Sequence, residues 1–219
     1  MIFAKIDFIN LLPFHVYIKK NIRSNQIKAI IEHNKSYPSK INHKFKTRKV
    51  DAAFISSIAS HREKRIDLGI IAKREVLSVL VIPGKYEKDY QSETSNALAK
   101  VLNLEGKVLI GDKALKYYHE HNKDEFIDLA QVWQEKYNLP FVFATLCFNR
   151  NGKLLKKITK NFRKSEIKIP QYILKKYEQR SGISKEQILD YLTRIDYNMG
   201  IKEERALKLF LKLTNKKGI

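Results

Sequence analysis

The sequence predicts an α/β fold of two lobes joined by two crossing strands, with a helical C-terminal tail. Three observations carry that expectation. Short apolar runs alternate with helical periodicity through the first half of the chain. Two longer runs, Val76–Ile82 and Pro140–Phe148, are nearly unbroken in β-forming residues. Beyond Arg150 apolar residues recur at three- and four-residue spacing, as in Ala206, Leu207, Phe210 and Leu211.

Taken in order, Phe3–Phe8 reads as a strand that ends at the polar Asn10. Pro13, which suits a first helical turn, then opens a helix to Lys20. A lysine-rich helical stretch, 39–49, leads to the apolar run Ala52–Ser56. Leu68–Ala72 and Val76–Ile82 follow, and such unbroken runs predict buried strands of a mostly parallel sheet. Pro83-Gly84 closes that series. A helix over 92–102, a strand Lys107–Ile110, a helix from Lys113, a helix Asp128–Tyr137 and the run Pro140–Phe148 come next. The rest is expected to be wholly helical, in the segments Leu154–Phe162, Pro170–Gln179, Lys185–Ile195 and Glu203–Leu213. The expected first lobe is 1–77 with 150–219, and the second is 78–149. The cleft between two such lobes is a common place for a small ligand.

With 219 residues, 43% of them hydrophobic and 11% aromatic, the chain can bury a sizeable core. Its formal charge of +20 attracts anions in general, whether nucleic acid, an acidic membrane surface or a small polyanion. The densest stretch, 150–180, holds eleven Lys or Arg, among them Arg163 and Lys164, against Glu166 and Glu178. A solvated helical face accounts for it, and no recognised nucleic-acid motif accompanies the charge. Cys147 is the only cysteine and lies in an apolar run, so it reads as a buried structural thiol in a reducing compartment. Lys5 and Asp7 interrupt the apolar N-terminus and no stretch approaches 18 apolar residues, so the expected location is cytoplasmic.

Chemistry is sought at polar positions beside strand ends, where open α/β sheets gather ligands. Asn10 offers an amide donor and acceptor there, or serves as a turn residue. Ser56-Ser57 ends the Ala52 strand and either caps the next helix or meets a ligand. Ser78 interrupts an apolar strand, and its hydroxyl needs a backbone partner or a polar cleft. Ser92, Thr94 and Ser95 precede a helical run; capping explains them, and the same helix start favours a carboxylate. Asp112, after the strand at 107–110, is either a cap or an acid facing the cleft. The six histidines show no zinc-type grouping, and no phosphate loop or serine elbow is present, so no metal or nucleotide is expected.

These positions fall in one order. Phe8-Ile9-Asn10-Leu11-Leu12-Pro13, Asp51-Ala52-Ala53-Phe54-Ile55-Ser56-Ser57, Ser78-Val79-Leu80, Ser92-x-Thr94-Ser95 and Ile110-Gly111-Asp112 are followed by Asp128-Leu129 through Trp133. Leu139-Pro140-Phe141-Val142-Phe143-Ala144, Tyr191-Leu192-x-x-Ile195-x-Tyr197 and Leu207-x-x-Phe210 complete the series. In that register the chain resembles the chorismate dehydratases of the futalosine route to menaquinone, over residues 3 to about 211. Thr145-Leu146 departs from the pattern, which usually has an aromatic residue soon after the Phe-Val-Phe-Ala stretch.

The resemblance implies a periplasmic-binding-protein type II-like fold used as a hydro-lyase without cofactor or metal. Its substrate would be chorismate and its product 3-[(1-carboxyvinyl)oxy]benzoate. It assigns Asn10 and Ser78 to the reacting ring, and Ser57, Ser92, Thr94, Ser95 and Asp112 to substrate binding. It offers no protein base, which leaves the substrate's own enolpyruvyl carboxylate to take the proton. The competing readings are the sibling 1,4-dihydroxy-6-naphthoate synthase, a non-catalytic binder of small anions, and, on charge alone, a nucleic-acid binder. A dehydratase is expected to engage neither nucleic acid nor membrane.

Overall fold

Asn10 is placed by the short β1 (Lys5–Ile6), which pairs in parallel with β2 (Lys35–Ser36), while Phe3 bridges to Ala52. The computed structural model describes residues 1–22, 24–162 and 167–219. Arg163, Lys164 and Glu166 of the basic stretch therefore lie outside the described residues. After β1 the chain makes a single 3-10 turn, Ile9–Leu11, and runs into α1 (Leu12–Asn21) with Pro13 in its first turn. Ser24 caps α2 (Asn25–His33) by accepting from the Ile27 amide at 3.3 Å. Helix α3 (Pro38–Lys46) then leads to β3 (Ala52–Ser56), a strand buried along its whole length.

Four strands form the larger sheet: β3, β4 (Arg65–Ala72), the long β8 (Phe141–Phe148) and β9 (Ile195–Asn198), in the order β3-β8-β4-β9. A smaller sheet has the order β6-β5-β7, from β5 (Val79–Pro83), β6 (Gly106–Ile110) and β7 (Ile127–Asp128). Helices α4 (Glu93–Leu102), α5 (Gly111–Glu120) and α6 (Leu129–Tyr137) alternate with these strands. The chain passes from the larger sheet to the smaller after β4 and returns between α6 and β8. Helices α7 (Gly152–Thr159), α8 (Gln171–Ser181), α9 (Lys185–Thr193) and α10 (Ile201–Lys216) finish the chain. Phe210 of α10 packs edge-on against Phe141 of β8 (5.0 Å) and Trp133 of α6 (6.1 Å), so the last helix locks the return strand to α6.

Three expectations are corrected. Both larger sheets are antiparallel rather than mostly parallel. Strands covered on both faces read as continuous apolar runs whichever way their neighbours point, and β3 is such a strand. The chain beyond Arg150 is not wholly helical, because α9 stops at Thr193 and Ile195–Asn198 extends to pair with the edge of β4. The strand expected over Phe3–Phe8 shrinks to Lys5–Ile6 and a bridge at Phe3. Elsewhere the α/β reading stands. Helix α7 turns Lys153, Lys156, Lys157 and Lys160 to solvent and buries Leu155, as the solvated-face account requires.

Candidate functional site

The 3-10 turn carrying Asn10 is held from three sides. Its own backbone closes it, Leu11 N–H donating to Phe8 C=O at 3.1 Å. The Ile9 amide donates to Asp112 Oδ1 (3.0 Å), and the Tyr197 hydroxyl donates to the Asn10 carbonyl (2.6 Å). Asp112 is fixed in turn by Arg180 Nη2 at 2.6 Å, and the same guanidinium reaches Asp7 at 2.8 Å. Burial raises the Asp112 carboxyl above the usual range, opposed by the Ile9 N–H and by Arg180. The Asn10 carbonyl is thus engaged, while its side-chain Oδ1 is buried without a protein hydrogen-bond partner among the described residues. A buried amide oxygen without a protein donor costs about 1–3 kcal/mol unless water or a ligand supplies one, so this side chain is free to meet a ligand.

Asn10 lines a pocket of about 50 Å³ together with Ser56, Ser78, Ser92 and Ser95, among apolar walls that include Phe8, Val79, Ile110 and Phe143. Ser78 enters from the segment that crosses between the sheets. Its hydroxyl lies 2.8 Å from that of Tyr191, and its carbonyl accepts from the Gly111 amide at 2.8 Å. Gly111 has φ +65 and a Cβ there would meet the Phe8 ring at 2.9 Å, so both its backbone and its packing call for glycine. Burial drives the phenols of Tyr191 and Tyr197 well above their ordinary value, and both stay protonated as donors.

The bend before Ser78 is set by Asp128. Its Oδ2 accepts from the amides of Val76 (2.9 Å) and Leu77 (2.7 Å), and its Oδ1 from those of Ala130 (2.9 Å) and Gln131 (3.1 Å). Leu77 consequently holds a left-handed φ of 60, a strained setting for a branched residue. Burial pushes the Asp128 carboxyl up to about 6, against those four N–H donors. Ser92 caps α4 by accepting from the Ser95 amide (3.1 Å), and the two hydroxyls lie 2.9 Å apart on the pocket wall. Ser56 is fixed by Asn42, whose Nδ2 donates to its Oγ (2.7 Å) and whose Oδ1 accepts from its amide (3.2 Å).

Of the residues singled out in the sequence, Asn10, Ser78, Ser92 and Ser95 meet in this pocket. Ser57, Thr94 and Asp112 do not line it. Ser57 donates to the Val142 carbonyl, and Thr94 Oγ1 accepts from the Ile58 amide at 3.1 Å. Asp112 stands behind Gly111 and steers the Asn10 turn. Ser56 sits where Ser57 was expected, and Tyr191, Tyr197 and Asp128 complete the support. Their signals were a paired serine at a strand end, two tyrosines in one late segment, and an aspartate one residue before a helix.

None of the lining residues is ionisable. Among the described residues no cluster of three His, Cys, Asp or Glu could hold a metal ion. Cys147 is buried, its thiol pushed up to about 12, and takes no part. The arrangement offers amide, hydroxyl and helix N-terminal N–H groups to an uncharged or anionic oxygen.

The family model described as menaquinone biosynthesis matches residues 75–216. The chorismate dehydratase of Campylobacter jejuni subsp. jejuni serotype O:23/36 (strain 81-176) is 49% identical over 216 residues, which cover 97% of this chain and 96% of that one. The crystal structure of protein AF1704 from Archaeoglobus fulgidus superposes with a TM-score of 0.66 at 13% identity, covering 99% of this chain and 97% of that one, a likeness of fold. The Candida albicans CA3427 gene product, described as exhibiting the generic periplasmic binding protein structural fold, aligns with a TM-score of 0.47 at 13% identity over 98% of this chain and 89% of that one. With a family match over most of its length and a near-full-length relative at 49% identity, this chain belongs to the menaquinone biosynthesis family.

Proposed function

We propose that this protein is a chorismate dehydratase, a hydro-lyase that converts chorismate to 3-[(1-carboxyvinyl)oxy]benzoate and water. The observation that carries the reading is the 49% identity to a chorismate dehydratase over 97% of the chain. The pocket supplies the chemistry. Elimination removes a ring proton and the neighbouring hydroxyl, and the C–H electron pair becomes a ring double bond as the C–O bond breaks. Aromatisation drives the step, so the protein has to orient the ring and stabilise the leaving oxygen. Asn10 and Ser78 act on that oxygen, with Ser78 oriented by Tyr191. Ser92, Ser95 and the first turn of α4 take a carboxylate.

No lining side chain can serve as the base. The enolpyruvyl carboxylate of the substrate takes the proton, and the leaving hydroxide combines with it as water. A pocket of about 50 Å³ is far below the roughly 300–1,000 Å³ of ligand sites, so its walls part to admit the ring and close over it. We take the moving parts to be 1–77 with 150–219 on one side and 78–149 on the other. The β8 strand lies within the second stretch by sequence, but it pairs with β3 and β4 and so stays with the larger sheet. We place the protein in the cytoplasm, in keeping with its single buried thiol. Among the described residues no helix is long and apolar enough to cross a membrane.

The test is incubation of the purified protein with chorismate, without metal or nucleotide, followed by chromatography. Appearance of the enol-ether benzoate, slowed by about 10²–10³ in Asn10→Ala, supports the reading. Chorismate recovered intact overturns it and turns attention to the substrate of the sibling naphthoate synthase.

A further inference from the structure

The largest cavity described, about 350 Å³, is not the serine-lined pocket. It lies between α1, α2 and α8, and the two spaces share one wall, the segment from Lys5 to Asn10. Lys5 and Asp7 face the cavity while Ile6, Phe8 and Asn10 face the pocket, the alternation expected of extended chain. No lining residue is common to both.

Its lining is mixed: apolar side chains such as Val16, Ile22, Ile31 and Ile173 stand beside a set of charged ones. Its acids are already engaged. Glu32 is held by Lys5 at 2.9 Å, and Asp7 by Lys5 (3.5 Å), Lys35 (3.9 Å) and Arg180 (2.8 Å). His15 Nε2–H donates to the Ile6 carbonyl at 2.8 Å, and burial keeps the ring neutral by lowering it to about 4. That leaves Lys19, Lys28 and Lys176 on the lining with no carboxylate partner among the described residues. A chamber of ligand size with apolar side chains and unpaired ammonium groups matches a molecule with an apolar body and an acidic head.

We propose that this cavity is a second ligand site, separate from the serine-lined pocket, which takes an amphipathic carboxylate. The apolar body lies against Val16, Ile31 and Ile173, and the carboxylate meets Lys19, Lys28 and Lys176. A purely apolar ligand lacks the second half of the recognition, and a small dicarboxylate lacks the first.

The experiment is a fluorescence titration of the full chain with 8-anilinonaphthalene-1-sulfonate, an amphipathic anion. Decanoate and decanol serve as unlabelled competitors and chorismate as a third. The expected result is displacement by decanoate, little by decanol and none by chorismate. Combined Lys19→Glu and Lys28→Glu substitutions weaken the probe by about five-fold or more, on the scale of two partly exposed ion pairs, with chorismate turnover and the thermal transition unchanged. Displacement by chorismate overturns the proposal, since it puts the probe in the catalytic pocket. Equal displacement by decanol, or native affinity in the double variant, overturns it equally, leaving an apolar hole without anion recognition.

Discussion

Replacing Asn10 with alanine should make the protein more stable and less active at once. In the folded protein Asn10 Oδ1 is buried without a donor, at a cost of about 1–3 kcal/mol. Alanine removes that penalty and gives up the packing of a half-buried amide, on the order of 1 kcal/mol. The net gain is about 1 kcal/mol, which for a chain of 219 residues raises the midpoint of thermal unfolding by about 2–4 °C. The backbone anchors of the turn, to Asp112 and Tyr197, do not involve the side chain and survive. Turnover of chorismate should fall by about 10²–10³, the usual effect of losing one donor aimed at developing charge. Calorimetry on the free protein and chromatographic assay of turnover read the two quantities separately. A lower melting temperature would show that the amide is paired in the free protein, and native turnover would remove Asn10 from the reaction.

Three further outcomes follow from the supporting residues. Tyr191→Phe strands the buried Ser78 hydroxyl, so urea unfolding should show a loss of about 1–2 kcal/mol and kcat should fall more than KM changes; an unaltered kcat would make Tyr191 a packing residue only. Asp128→Asn puts an NH2 against backbone donors that now share a carboxylate, costing about 2–4 kcal/mol in the same assay, and a loss under 1 kcal/mol would contradict the four-bond geometry. His15 is held at about 4 when folded and titrates near 6.5 when unfolded, so the unfolded chain binds its proton first. Its contribution is complete above pH 6.5 and is lost as the pH falls to about 4, a change of about 3 kcal/mol. His15→Gln should flatten that part of the pH–stability curve, and an unchanged slope would refute the burial argument.

Particular residues show what was legible in the sequence. The apolar cores of β3, β5 and β8 were visible because burial on both faces leaves no polar interruption. Strand direction was not visible, since that same burial hides the difference between parallel and antiparallel neighbours. Ile195-Asp196-Tyr197-Asn198 escaped notice because an edge strand with one wet face carries half the apolar signal and follows a helix at once. Asn10, Ser92 and Ser95 were legible as polar groups at element ends and Ser78 as a hydroxyl interrupting an apolar strand, and the four line one pocket. Ser56 and Ser57 were not separated, because adjacent strand residues point to opposite faces and only the pairing register decides which one meets the pocket. Tyr197 reaches Asn10 across 187 residues of sequence, and no local pattern reports such a contact.

The strand β9 also bears on how the molecule is made. The small sheet draws all of its strands from residues 79–128 and can form while later residues are still being synthesised. The larger sheet waits for β8 and then for β9, whose partner strand left the ribosome more than a hundred residues earlier. Because β9 brings in Tyr197, the Asn10 turn receives this clasp only after residue 197 has been made, 187 residues after Asn10 itself. A polypeptide that stops short of β9 would therefore keep the Asp112 anchor of the Asn10 turn and lack the Tyr197 one, so the site is finished from a segment remote in sequence from the turn it braces.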